Sequence, residues 1–256
     1  MQKNIVNAIK DLISFFVYVL ICPFFRNKKA ILVYHAVDER IDSSNDPYKI
    51  NIMPALFKMH MAYVAKRKKY FTVAFDDGYG SLYCNAFPIV KEYDIKSVLF
   101  LTTEYVDEKV TLDHFFDNKY RPAPLKWDEI RKIEASGVEL GSHSLTHANI
   151  ADLKDERIYS EIALSKKRIA DMTGFDVRSF AYPFGNATSF NERTEKMLKQ
   201  AGYERAYTNV MGMDNSKTDP FKIGRIRIYN TDSMFRFKMK TAGAYNWVDL
   251  LTAIRG

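Results

Sequence analysis

Cysteine is almost missing: Cys22 and Cys84 are the only two in 256 residues. They offer no disulfide framework and no C-x-x-C pair, so any bound metal must be held by histidine and carboxylate. No internal repeat, low-complexity stretch or inter-domain linker breaks the chain, and its length suits one sizeable core. Charge of one sign is not concentrated either. The net charge is +7, and the densest basic run, Lys66-Arg67-Lys68-Lys69, closes an expected helix where cations suit the dipole. That excludes nucleic acid as the expected partner, while an anionic membrane surface or a phosphate-bearing substrate remains compatible.

A long hydrophobic span is lacking as well. Leu12 to Phe25 reads LISFFVYVLICPFF, fourteen residues between Lys10 and Arg26, whereas a bilayer-spanning helix needs about 20. Pro23-Phe24-Phe25-Arg26 supplies no small-residue cleavage site, so a cleavable signal peptide is not expected. Residues 1–29 therefore read as an apolar N-terminal anchor segment. Residues 5–25 would lie on a membrane surface, making the protein membrane-associated on a side the sequence does not name. The other reading of this run is a core helix docked on the domain.

What is present is 47% hydrophobic and 27% charged, the balance of a folded globule. Past the anchor, strand-like and helix-like segments alternate as in α/β folds. Strands are expected at 30–34, 70–75, 97–102, 138–140, 177–182, 206–208 and 225–228. Helices are expected at 54–66, 87–93, 126–135, 155–172 and 191–200. The mixed segment 107–124 is long enough to suggest a functional loop. Polar clusters fall at strand ends, the rim where α/β barrels place their chemistry.

Three clusters matter. Phe75-Asp76-Asp77-Gly78 puts adjacent carboxylates at a strand end, though a plain Asp-Gly turn would look the same. His143-Ser144-Leu145-Thr146-His147 places two histidines four apart, on one face if the segment turns helically; they grip one ion or are simply satisfied polar residues. Ala181-Tyr182-Pro183-Phe184-Gly185 reads alone as a turn after a strand.

In this order and spacing the clusters resemble the signatures of the polysaccharide deacetylase family, the NodB-homology group known as carbohydrate esterase family four. The resemblance runs from about Ala30 to Ile228 and assigns residues 30–256 to one such domain. It implies a distorted (β/α) barrel that hydrolyses N-acetyl groups of a polysaccharide or lipid-linked glycan. It implies one divalent ion, usually zinc (with Co²⁺, Ni²⁺ or Mn²⁺ as alternatives), on Asp77, His143 and His147. Asp76 resembles the family's base, and the Phe184 backbone N–H its oxyanion donor.

The sequence departs from the common pattern in two places. No histidine follows His147, where a late acid histidine is usual. Instead Ile31-Leu32-Val33-Tyr34-His35 is a strand ending in histidine at the N-terminus, as in the circularly permuted branch that includes poly-N-acetylglucosamine deacetylases. His35 is thus the expected general acid. Ala181 stands where many members carry an arginine that pairs with the base, and Arg225 is the expected substitute. Tyr182, as a rim aromatic, and Arg225 complete the expected substrate-binding set. His60 reads as inert, and His114 as a loop residue open to substrate contact. The competing readings are a deacetylase or deformylase of a small lipid-linked amino sugar, and a carbohydrate-binding barrel without catalysis.

Overall fold

Short apolar runs form parallel strands, and the segments between them form helices that cover the sheet. The computed structural model describes residues 2–25, 28–41, 46–112, 122–213 and 218–247, with backbone alone for 2–8 and 21–25. The chain opens with α1 (Gln2–Phe25), β1 (Ala30–Tyr34), β2 (Ala36–Val37), β3 (Asn51–Ile52), α2 (Pro54–Ala65) and β4 (Phe71–Phe75). Its middle supplies α3 (Ser81–Asn85), α4 (Phe87–Glu92), β5 (Ser97–Leu101), α5 (Thr103–Val106), α6 (Trp127–Ala135) and β6 (Glu139–Ser142). Then follow α7 (Asp155–Thr173), β7 (Ser179–Ala181), α8 (Glu192–Gln200), β8 (Arg205–Tyr207), β9 (Ile226–Arg227) and α9 (Met234–Thr241).

Seven strands make one sheet in the order β8-β7-β6-β5-β4-β1-β9, every pair parallel. The first strand therefore lies between β4 and the last strand, with Leu32 opposite Ile226 and Val33 opposite Arg227. This neighbourhood is the one a strand moved from the end of the sequence to its start must keep. The sheet curls until its edges meet. Tyr207 bridges Ile223, just before β9, and Ile223 N–H donates to the Ala206 carbonyl at 3.0 Å. Closure through one bridge, not a full ladder, makes the barrel distorted.

Strand alternation divides the core into two layers. Ile31, Val33, Ala74, Val98, Phe100, Ala181 and Tyr207 pack together inside the curl. Ala30, Leu32, Tyr34, Val73, Phe75, Leu99 and Phe180 face the helices. Both faces are buried, which is why these strands read as continuous apolar runs. Gly141 in β6 is required by close approach, because a Cβ there would lie 2.4 Å from the Phe100 ring. Helix ends follow local chemistry. Asn191 caps α8 by accepting from Thr194 N–H, and Gly174, at φ 75°, ends α7.

The N-terminal helix is neither a core helix nor detached. One face of α1 lies against α9 and the turns after it: Ser14 is fully buried, and Val17 and Tyr18 pack on Met239, Ala244 and Tyr245. Asp11 pairs with Arg236 and accepts from the Tyr245 hydroxyl, and the Trp247 indole donates to Ser14 Oγ at 3.1 Å. The other face exposes Leu12, Phe16, Val19 and Leu20, the last to 70%. Among the described residues no helix is long and apolar enough to cross a membrane.

Candidate active site

The end of β4 sets two carboxylates to different tasks. Ala74 faces the barrel interior, so two residues on Asp76 does too, and its N–H extends the ladder to the Tyr34 carbonyl at 3.0 Å. The chain then turns through a left-handed Asp77, at φ 74°. Both carboxylates are fully buried. Asp76 meets an arginine. Asp77 meets two histidines.

His143 follows β6, its N–H bound to the Leu101 carbonyl at 2.8 Å. The segment from His143 to His147 does not turn helically. Ser144 and His147 take positive φ (69° and 64°), and an irregular loop folds the two rings to centroids 4.9 Å apart. Buried Glu161 of α7 holds that loop, accepting from the N–H groups of Leu145 and Thr146 at 3.0 and 2.8 Å and from the Thr146 hydroxyl at 2.8 Å. Ser144 Oγ accepts from His147 N–H at 2.9 Å. Left-handed non-glycine residues cost roughly 1–3 kcal/mol each and persist only where packing over-determines them. Asp77, Ser144, His147 and Phe184 all take that conformation around one point.

Asp77, His143 and His147 each offer one ligand atom, all within 4.8 Å of one another. Asp77 Oδ1 lies 3.6 Å from His143 Nε2 and 3.5 Å from His147 Nε2, too far for a good hydrogen bond. Two ligands each about 2.0–2.1 Å from a shared ion stand at such separations. The tautomer agrees. His143 Nδ1 lies 2.8 Å from the Ala181 carbonyl, which can only accept, so Nδ1 carries the proton and Nε2 turns a lone pair toward Asp77. A lone pair facing a buried carboxylate calls for a cation between them. The donor set fits a divalent ion such as zinc.

Arg225 lies under this site. Its Nη1 and Nη2 donate to Asp76 Oδ1 and Oδ2 at 2.7 and 2.8 Å, and Nη2 also reaches Asn209 Oδ1 at 2.8 Å. Its Nε donates to the Thr208 carbonyl at 3.1 Å. The guanidinium therefore clamps both oxygens of Asp76. It is fully buried, out of reach of a substrate in the cleft, which corrects its expected place in the substrate-binding set. Burial alone would raise the Asp76 carboxyl, but the Arg225 guanidinium, by its charge and its hydrogen bonds, brings it below the ordinary carboxylate range.

Tyr182 is corrected likewise. Alternation turns Ala181 inward and Tyr182 outward, where its ring stacks on Phe190 and its hydroxyl donates to the Phe221 carbonyl at 3.2 Å. It is a core residue, not a rim aromatic. Phe184 is an exposed aromatic of the cleft instead, edge-on to His147 at 5.0 Å between centroids. Its turn is held from β8: Asn209 Nδ2 donates to the Phe184 carbonyl at 3.0 Å and Asn209 N–H to that of Gly185 at 2.7 Å. Gly185 (φ 63°) admits no side chain, since a Cβ would stand 2.7 Å from Asn209 N.

His35, just past β1, lines the same cleft as His143, His147, Phe184, Asn209 and Arg227, a cavity of about 240 Å³. His60 faces the other way, buried against Phe237 with ring centroids 3.9 Å apart, and burial pushes it down to about 4. It stays neutral and outside the site. His114 lies outside the described residues. Sequence reasoning missed Asn209 and Glu161. Their only signals were a polar residue following β8 and an acid set four residues after Arg157 on a helix.

The curled parallel sheet, with carboxylates and histidines gathered at the C-terminal ends of its strands, defines an α/β barrel with one cluster, Asp77, His143 and His147, that could hold a metal ion. The profile of the polysaccharide deacetylase family matches residues 63–206, more than half of the chain, and the protein belongs to that family. YxkH of Bacillus subtilis (strain 168), named for the same family, is 25% identical over 156 residues, 61% of this chain and 50% of that protein. The poly-β-1,6-N-acetyl-D-glucosamine N-deacetylase of Escherichia coli (strain K12) is 26% identical over 204 residues, 66% of this chain and 29% of that one. The chain thus spans half or less of the length of these curated relatives. Among solved structures, the Streptococcus pyogenes deacetylase PplD in complex with acetate matches with TM-score 0.69 at 20% identity, covering 84% of this chain and 98% of that one. That likeness shows the shared fold.

Proposed function

We propose that this chain hydrolyses the N-acetyl group of an amino sugar within a polysaccharide, using a divalent ion, zinc first among candidates. The observation that carries this reading is one cleft holding Asp77, His143 and His147 beside an ionised Asp76 clamped by Arg225. The name of the Escherichia coli relative supports an N-acetylglucosamine polymer as substrate, and the acetate in the PplD structure matches the product expected here.

A divalent ion bound by the three side chains would polarise the acetyl carbonyl and acidify a water at the site. Asp76 accepts the proton of the attacking water as its oxygen bonds to the acetyl carbon. Arg225 keeps that carboxylate charged and fixes both of its oxygens, so the base is oriented before substrate arrives. The Phe184 N–H, on its strained turn, is the donor for the developing oxyanion. His35 gives a proton to the amine nitrogen as the C–N bond breaks, and acetate and a free amine leave. His35→Ala is expected to lower kcat for acetate release from N-acetylglucosamine oligomers by about 10²- to 10⁴-fold, with metal content unchanged. Wild-type kcat in that variant would remove His35 from the mechanism.

The same reading sets the protein at a membrane surface. The exposed apolar face of α1, with Lys10 at its start, suits the boundary between headgroups and acyl chains. The full chain is expected to sediment with vesicles, and Leu12→Glu/Phe16→Glu to stay in the supernatant. Equal sedimentation of both proteins would contradict surface binding through α1.

A further inference from the structure

The cleft has a second wall whose chemistry deacetylation does not use. Arg227 sits at the end of β9, two residues beyond Arg225 and opposite Val33, so it shares the inward face with the base's partner and emerges at the rim. It lines the active-site cleft and also a neighbouring groove, lined further by Lys10, Lys49, Asp11, Asp232, Arg236 and Lys240. Arg227 and Tyr229 line both cavities, so the two are immediate neighbours.

Charge in that groove is unevenly matched. Asp11 is taken by Arg236, and Asp232 by Lys240 at 2.5 Å. Arg227 has no carboxylate within ion-pair distance among the described residues. Its buried Nε finds no hydrogen-bond acceptor, and its guanidinium carbon stands 5.9 Å from the Tyr229 ring centroid. Lys10, at the start of the exposed apolar face of α1, likewise has no acidic partner among the described residues. No carboxylate belongs to the lining of the cleft on the Arg227 side. A partly buried Arg that lines a cavity without a carboxylate partner, its neighbouring acids already paired, is a site for an anion, and its planar fork suits phosphate oxygens.

We infer that Arg227, assisted by Lys10, binds a phosphate ester carried by the substrate beside the sugar being deacetylated. This inference rests on the proposed deacetylation and narrows its substrate to an amino sugar bearing a phosphodiester. The groove is lined by Lys10 and Asp11 of α1 as well as by Arg227, so the phosphate would sit between the sugar and the apolar helix face. That order, sugar then phosphate then apolar surface, is the order of groups in a lipid-linked sugar. A glycan carrying phosphate without lipid presents the same anion.

The test compares acetate release by the full chain from three compounds: methyl N-acetylglucosaminide, N-acetylglucosamine 1-(methyl phosphate), and the matching isoprenyl phosphate ester. Wild type is expected to favour both phosphate esters over the neutral glycoside in kcat/KM by about 10- to 100-fold, the scale of a hydrogen bond to a charged group. Arg227→Gln should erase most of that ratio through KM, and Lys10→Gln a smaller part. A further preference for the isoprenyl ester points to a lipid-linked substrate. Equal rates on the two esters point to a phosphate-bearing glycan. The inference is overturned if wild type shows no preference for the esters, or if Arg227→Gln slows all three compounds equally. Should Arg227→Gln fail to fold, the wild-type ratio and Lys10→Gln still decide it. Hydrolysis of none of the three, with N-acetylglucosamine oligomers also left intact, would overturn the deacetylase reading itself.

Discussion

Asp76→Asn is expected to lower kcat by about 10²- to 10⁴-fold while leaving metal content at the wild-type level. The separation follows from geometry, because Asp76 spends both oxygens on Arg225 and lies 3.9 Å from His143 Nε2, whereas Asp77 makes the approach to both histidines. The substitution also leaves the buried Arg225 without its counter-charge, an imbalance worth about 3–5 kcal/mol of stability. A single variant would therefore confuse lost chemistry with lost fold. Adding Arg225→Met should restore much of the stability, seen as a recovered Tm, without restoring acetate release. Recovery of activity along with stability would show that Asp76 serves the fold alone.

His143→Ala is expected to have the second large effect, and on metal binding first. A partner that merely orients a ligand contributes about 10–100-fold in metal affinity, and loss of a ligand should exceed that range. Acetate release should fall in step with occupancy at any given zinc concentration. His147→Ala should behave the same way, since its Nε2 stands at nearly the same distance from Asp77. Metal content measured by elemental analysis after dialysis against micromolar zinc checks both. Unchanged content in both variants would mean that the ion, if bound, sits elsewhere.

Much of this arrangement is legible in the residues themselves. The acidic pair after Phe75, the histidine after Ser142 and the turn after Ala181 stand where apolar strands stop, and parallel strands bring their ends to one rim. The neighbourhood of β1 and β9 is also foreseeable, since a strand ending in His35 could complete the site only from there. Other features depend on contacts that no local pattern encodes. Tyr182 looked like a rim residue by its place at the strand end, yet alternation from Ala181 turns it into the helix layer. His143 and His147 show helical spacing, but the loop is shaped by Glu161, reaching in from α7. Arg225 could be matched to Asp76 only by analogy, because 149 residues separate them in sequence and the curl of the sheet alone makes them neighbours. The two-residue β2 and β3 are too short to carry a period, and α9 follows a capping Ser233 that a pattern search for long apolar stripes passes over.

Acetate release is expected to depend on one ion held by Asp77, His143 and His147. That dependence is tested most directly by measuring metal content and acetate release on the same sample while a chelator removes the metal and zinc returns it. The expected result is a linear relation, with no release from metal-free protein and full release near one ion per chain. Undiminished acetate release from protein shown to contain no metal would contradict it.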